Sequence, residues 1–312
     1  MTAQGRYEVF LLTSGAIWGT SFAVTKVGLD SVDPLFFALL RFLLGAALMV
    51  VAVAAMRRFD PAVLRDPAVI ALSVVNALAF ALQNIGLEAT TATNSALLIN
   101  VNVGIVAVLA AVVLKEELTR RTGAGLLLGL AGVVLISTNG DLGAIARGSL
   151  VGDLTVFGAG ALWAVYIVYM KRTLGRQRDV LMVSTAIIAE TALFLVPLTL
   201  LFAGSYALPG EGAWTVVYTG VVCTGLAYLL YNAGLQRVRA SVSAVLLLVE
   251  PVFGIAFAVL LLQEWPGPTT ALGAALVLLS IAVIAFANGR EGSAMPTGTG
   301  TGSPGPARRR PW

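Results

Sequence analysis

The chain contains no histidine. That removes imidazole metal ligands and the commonest general base from consideration. It has one cysteine, Cys223, inside an apolar segment. An intramolecular disulfide is impossible, and a thiolate metal cluster has nothing to build on. No phosphate-binding lysine motif is present, so ATP drive is not expected. The run Gly123-Ala124-Gly125 with Gly129 has the wrong spacing for a nucleotide loop and opens an apolar helix. Charge is also scarce: 12% of 312 residues are charged, against roughly 25% in soluble domains. The formal charge of +4 is spread over short loops rather than gathered in one patch, which argues against a nucleic-acid partner. No cofactor and no metal are expected.

What fills the chain instead is apolar: 58% of residues are hydrophobic, and the mean hydropathy is +0.90. The solvent for most of it must be a lipid bilayer. A spanning helix takes about 20 mainly apolar residues. Ten such segments are expected, near 8–27, 34–56, 67–87, 93–114, 121–138, 150–171, 179–203, 212–236, 241–263 and 268–288. Turn signals separate them, among them Asp33-Pro34, Asp60-Pro61, Asp66-Pro67, Asn139-Gly140 and Pro209-Gly210. The first segment follows Arg6 without a convincing cleavage site, so it reads as a retained helix. Residues 289–312 turn to Gly, Pro, Ser and Thr and close on Arg308, Arg309 and Arg310. That tail cannot bury apolar surface and is expected to be disordered and cytoplasmic.

Basic residues set the orientation. With the amino terminus in the cytoplasm, seventeen of the 20 lysines and arginines fall on the cytoplasmic side. Arg147 alone lies in an outer loop, Lys26 ends the first helix outside, and Arg41 lies within the second. Both termini are then cytoplasmic.

The chain also repeats itself. Trp18 and Lys26 recur 145 positions later as Trp163 and Lys171. Leu82, Asn84, Gly86, Leu87 and Ser95 recur 148 positions later as Leu230, Asn232, Gly234, Leu235 and Ser243. Five helices per copy is an odd number, so the second copy enters the membrane the other way up. The expected fold is all-α integral membrane, with ten transmembrane helices in two inverted five-helix repeats over 8–138 and 150–288. Such a repeat places a binding site near the midplane between the halves.

Several pieces together resemble the drug/metabolite transporter superfamily, in its EamA-type members. They are Ile17-Trp18-Gly19 with Lys26, Arg41-Phe42, Asn84-Ile85-Gly86-Leu87 with Ala92 to Ala96, and Lys115-Glu116-Glu117-Leu118 followed by Gly125 and Gly132. The second copy offers Trp163, Asn232-Ala233-Gly234-Leu235, Glu250-Pro251 and Gln263-Glu264. The resemblance covers about residues 8–288. It implies a cavity lined by helices 1–4 and 6–9, helices 5 and 10 outside, and movement of small metabolites, often export, in a bacterial inner membrane. Two departures stand out. Val103 replaces the counterpart of Pro251, which bears on how the fourth helix bends, and Trp265-Pro266 follows Glu264.

Charges inside a membrane cost about 2.5–3.5 kcal/mol on insertion scales. Arg41, Glu190 and Glu250 therefore stand out. Arg41 is a candidate to hold a substrate carboxylate in a bidentate pair, or else an interhelical tie or a snorkelling side chain. Removing a carboxyl group from water favours its neutral form, which makes Glu190 and Glu250 proton-coupling candidates. The plainer reading of Glu250 is a local bond near the Pro251 kink. Gln83, Asn100 and Asn102 are cavity candidates because their repeat counterparts differ from them. Asn84 and Asn232 match each other and read as glue between helices. Trp18, Trp163, Tyr166 and Tyr231 are candidate substrate-binding aromatics, with packing or interfacial anchoring as the equal alternative for the tryptophans. Glu116, Glu117 and Glu264 read as structural helix ends, tied to arginines such as Arg120 and Arg121. Gly15-x-x-x-Gly19 and Gly125-x-x-x-Gly129 read as close-packing faces.

The expected function is secondary transport of a small organic metabolite, an amino acid or a drug-like solute, in the direction of export. An importer or exchanger of the same fold is the alternative. A membrane enzyme is disfavoured, because no serine motif has a plausible base and no metal cluster exists. Whether the chain works as a monomer or a homodimer stays open.

Overall fold

The computed structural model describes residues 3–90, 92–175, 178–262 and 265–292. The tail from residue 293, with Arg176, Gln263 and Glu264, lies outside the described residues, and so does the side chain of Lys26. Among the described residues the chain is helical, without a strand. The helices are α1 (Ala3–Leu29), α2 (Pro34–Ala55), a short α3 (Pro61–Leu64), α4 (Pro67–Ala89), α5 (Ala92–Asn100), α6 (Asn102–Val113) and α7 (Arg120–Thr138). After them come α8 (Leu150–Leu174), α9 (Val180–Phe202), α10 (Gly210–Tyr218), α11 (Ala227–Arg237), α12 (Ala240–Leu247), α13 (Val249–Leu262) and α14 (Pro268–Gly292). Among the described residues seven segments are long and apolar enough to cross a membrane, and Leu97–Val113 and Pro268–Ile284 are shorter apolar helices. The last helix runs beyond residue 288 to Gly292.

The turn signals act as helix starts. Asp33, ahead of Pro34, accepts from the backbone N–H groups of Leu35 at 2.9 Å and Phe36 at 3.2 Å. Asp66, ahead of Pro67, accepts from Ala68 at 2.8 Å. Each carboxylate satisfies N–H groups that the first helical turn leaves open, while proline fits where no N–H is needed.

Two segments expected as single helices are interrupted by one residue. Val101 separates α5 from α6, and Leu248 separates α12 from α13. The first break occurs without a proline, so the lack of a counterpart to Pro251 does not straighten that helix. Asn100 and Asn102 flank it, and asparagine side chains compete with the helical backbone for hydrogen bonds. A third segment, between α10 and α11, is a π-helical stretch, Thr219–Leu226.

In the bundle, α1 packs on α11, α12 and α13, while α4 packs on α8 and α9. Helix α2 lies against α9, and α7 pairs with α14. Both small-residue faces are used. A side chain at Gly19 would meet the Glu250 carbonyl of α13, and one at Gly125 would meet Ile284 of α14 at 2.8 Å.

Polar contacts between the loops gather at two ends of the bundle. At one end Arg58 pairs with Asp179 at 3.4 Å, and Arg178 with Asp66. The same end holds Lys171, whose ammonium donates to the carbonyls of Leu235 at 2.7 Å, Gln236 at 3.1 Å and Val238 at 2.7 Å. These are the open carbonyls at the end of α11, where a cation is favoured. At the other end Asp33 accepts from Gly204 N–H at 2.8 Å, and Asp153 accepts from Thr90 at 2.5 Å.

Glu116 corrects one expectation. It does not serve Arg120 or Arg121. It accepts from the N–H groups of Ala240 at 2.7 Å and Ser241 at 3.1 Å and from the Ser241 hydroxyl at 2.7 Å, with Arg239 Nε at 3.9 Å. The start of α12 presents open donors and the positive end of its dipole, which a carboxylate fits better than an arginine on its own helix end. Glu116→Ala is expected to lower stability by about 2 kcal/mol, read as an earlier thermal transition in detergent. An unchanged transition would deny the cap its role.

Candidate functional site

One cavity lies where α1, α2, α4, α5, α6 and α8 meet α11, α12 and α13. It spans about 600 Å³ including its open mouth. Trp18, Arg41, Gln83, Asn102, Trp163 and Glu250 line it, all six singled out in the sequence. Ser21, Phe80, Ile99, Tyr228 and Leu247 complete the wall.

Arg41 is 6% exposed. Its Nε donates to the Thr224 hydroxyl at 2.7 Å. Its guanidinium carbon lies 5.1 Å from the Phe80 ring centre, a cation–π contact. With Nε engaged and one face covered, the terminal nitrogens are the donors left for the cavity. Those nitrogens form the fork that matches a carboxylate. Glu250 faces the same cavity, and no ion pair within 4.0 Å joins it to Arg41 among the described residues. A cation and an acid thus line one space without an ion pair between them.

The tryptophans are held by polar bonds as well as by packing. Trp18 Nε1 donates to the Cys223 carbonyl at 2.8 Å, and Trp163 Nε1 donates to Gln83 Oε1 at 3.0 Å. Phe80 meets Trp163 edge-on at 5.0 Å, and Tyr228 meets Trp18 at 5.4 Å. These bonds fix ring orientation and leave aromatic surface facing the cavity.

The other expected site residues do not reach the cavity wall. Tyr166 is fully buried behind Trp163, edge-on at 5.6 Å. Tyr231 is 2% exposed and packs under Trp18 at 5.3 Å. Asn100 precedes the break at Val101, and Asn102 beyond it lines the cavity instead. Glu190 sits between α9 and α4, where it accepts from the Ser73 hydroxyl at 2.9 Å. Their helices were legible, but the face each residue presents was not. As expected, Asn84 and Asn232 bond across helices, to the Pro34 carbonyl at 3.1 Å and the Ser184 hydroxyl at 2.8 Å.

Most of the wall residues missed in the sequence, though not Ser21, had a signal at the repeat offsets. Phe80 and Tyr228 stand 148 positions apart, as do Ile99 and Leu247, and Asn102 and Glu250. Trp18 and Trp163 stand 145 apart. Four pairs at these two offsets therefore meet around one space. Residue type alone hid Phe80, Ile99 and Leu247 among ordinary apolar neighbours.

The cavity makes a direct prediction. Asn102→Cys is expected to react with a water-soluble maleimide, whereas Tyr231→Cys and native Cys223, 0% exposed, stay unmodified on intact-mass measurement. Equal modification of Tyr231→Cys would contradict the wall drawn here.

The EamA-like transporter family matches residues 5–138 and 150–286. A protein of Archaeoglobus fulgidus named an uncharacterized transporter is 32% identical over 288 residues, 89% of this chain and 96% of that protein. The uncharacterized transporter YwfM of Bacillus subtilis is 28% identical over 292 residues, 92% of this chain and 96% of its own length. One solved crystal structure superposes with a TM-score of 0.77 at 22% identity, over 91% of this chain and 98% of that one, and shows the fold alone. Two family matches and a cavity built between them lead to one conclusion: the chain is an integral membrane protein that belongs to the EamA-like transporter family.

Proposed function

We propose that this transporter is a secondary carrier that exports a small organic metabolite bearing a carboxylate, an amino acid or a drug-like solute. The observation that carries this reading is Arg41 and Glu250 facing one aromatic-walled cavity without pairing. A buried cation is costly without a counter-charge, and a bound anion supplies one. An amphoteric solute satisfies both groups at once, with its carboxylate on Arg41, its ammonium toward Glu250 and its apolar part between Trp18 and Trp163.

The carrier works by alternating access between two inverted five-helix repeats, ten spanning helices in all. Two kinds of observation support this. The element pairing maps onto itself when the two family-matched segments are exchanged: α4 on α8 answers α11 on α1, and α6 on α8 answers α13 on α1. Close contacts repeat in the same way. A side chain at Gly86 would meet Val156 at 2.6 Å, and one at Gly234 would meet Leu11 at 2.6 Å. Gly86 and Gly234 differ by 148 positions, Leu11 and Val156 by 145. In this reading the distribution of basic loops favours cytoplasmic termini, and the family resemblance favours a bacterial inner membrane.

Glu250 is the group that couples transport to protons in this reading, since it alone of the two candidate glutamates faces the cavity. Glu250→Gln is expected to abolish pH-driven transport at normal expression; driven transport at the wild-type rate would remove the coupling role. The transport reading itself is tested by comparing metabolites inside and outside cells that overproduce the protein or its Arg41→Ala form at matched levels. A carboxylate solute accumulating outside only with the intact chain is the expected result. Accumulation inside would reverse the direction to import, and equal accumulation with Arg41→Ala would remove the substrate role of Arg41.

A further inference from the structure

The two tryptophans of the cavity are repeat mates, yet they are held differently. Trp163 bonds a side chain, Gln83. Trp18 bonds a backbone carbonyl, that of Cys223. The carbonyl is free to accept because of the π-helical stretch Thr219–Leu226. The N–H of Ala227, four residues after Cys223, would serve Cys223 in an α-helix. It donates to the carbonyl of Val222 instead, five residues back. The next residue, Thr224, accepts from Arg41 Nε at 2.7 Å. Adjacent residues of one π turn therefore hold Trp18 of α1 and Arg41 of α2, the aromatic wall and the cation of the cavity.

Other contacts fit the turn to this task. Residues 71–78, which lie 148 positions earlier, form continuous α-helix within α4. The π turn is thus a feature of the second segment alone, and it faces Arg41, whose own counterpart is Ala186. Helix α2 reaches it at backbone distance: a side chain at Gly45 would meet Thr224 at 2.8 Å and the Gly220 carbonyl at 3.0 Å. A side chain at Gly220 would meet the Arg41 carbonyl at 2.9 Å. Just before the turn, Tyr218 shares a 2.6 Å bond with Thr20 of α1. Thr224 and Cys223 are themselves buried, so neither is a wall of the cavity.

We infer that the π turn is a positioning device: Thr224 aims the Arg41 fork into the cavity and the Cys223 carbonyl fixes Trp18, so both recognition groups follow one backbone register. The inference rests on the reading of Arg41 as the solute's carboxylate contact. Its consequence is specific. Losing the Thr224 hydroxyl frees the guanidinium without removing its charge, so solute capture weakens while the cavity remains.

The test uses the full chain in detergent micelles, with proton exchange of the Arg41 Nε–H and the Trp18 indole N–H read by nitrogen-15 NMR. Thr224→Val is expected to speed Arg41 exchange about tenfold or more and leave Trp18 unchanged, the size expected for a lost bond to a charged group. Thr224→Ser keeps the hydroxyl and is expected to restore slow exchange. Deleting Val222 returns the turn to α register, gives the Cys223 carbonyl back to Ala227 and is expected to speed Trp18 exchange by a similar factor. Arg41 exchange as slow in Thr224→Val as in the wild type overturns the inference whether or not the deletion variant folds. In the export comparison, Thr224→Val is expected to reduce export about tenfold at limiting solute, and Thr224→Ser to stay near wild type. Loss of export in Arg41→Ala with full export in Thr224→Val overturns the positioning role and spares the carrier reading. Full export in Arg41→Ala removes the substrate role of Arg41 on which the inference rests and keeps the carrier, while the exchange rates still judge the turn.

Discussion

A guanidinium inside an apolar bundle has to be solvated by the protein, because lipid offers it nothing. Arg41 is that group, and much of the centre of the molecule is arranged around it. Phe80 covers one face, and Thr224 takes Nε. Its side chain lines the cavity. The cation stays charged under all ordinary conditions, so its environment cannot relax by neutralising it. A π turn, a close glycine contact between α2 and that turn, and an aromatic wall surround this one charge.

The remaining polar contacts divide by end. Where the family-matched segments meet near Arg58 and Arg178, ion pairs and a carboxylate-capped helix join them. At the opposite end the joints are carboxylates and amides accepting from neutral donors, at Asp33, Asp153 and Asn139. Bonds of the first kind weaken with added salt and those of the second kind much less. Any motion that opens the two ends in turn works against two different chemistries. Lys171 and Glu116 show how the first end is built: each satisfies several open backbone groups of a helix end at once.

Much of this was legible in the sequence, and the reasons are physical. Intramembrane charge is rare because it is costly, so Arg41 and Glu250 announced themselves. The repeat flagged Trp18 and Trp163. Helix positions followed from long apolar runs and Asp-Pro starts. What stayed hidden was rotation. Neighbouring residues in a helix differ by about 100°, so the sequence pointed to Tyr231 as a cavity aromatic, although Tyr228 faces the cavity and Tyr231 underpins Trp18. The break at Val101 separates Asn102 from Asn100 in the same way. Thr219–Leu226 reads as an ordinary apolar helix, and nothing in its residue types reveals the π register. Glu116 looked like a local helix end because its partners, Ala240 and Ser241, lie 124 and 125 positions away.

The most direct measurement of the central claim is the thermal transition of the purified protein against matched carboxylates, their neutral amides and the corresponding amines. The account predicts that carboxylates raise the transition, that amides do not, and that the difference vanishes in Arg41→Ala, since binding to the folded state stabilises it by mass action. Stabilisation by amides as strong as by carboxylates, or a carboxylate effect that survives Arg41→Ala, would contradict it.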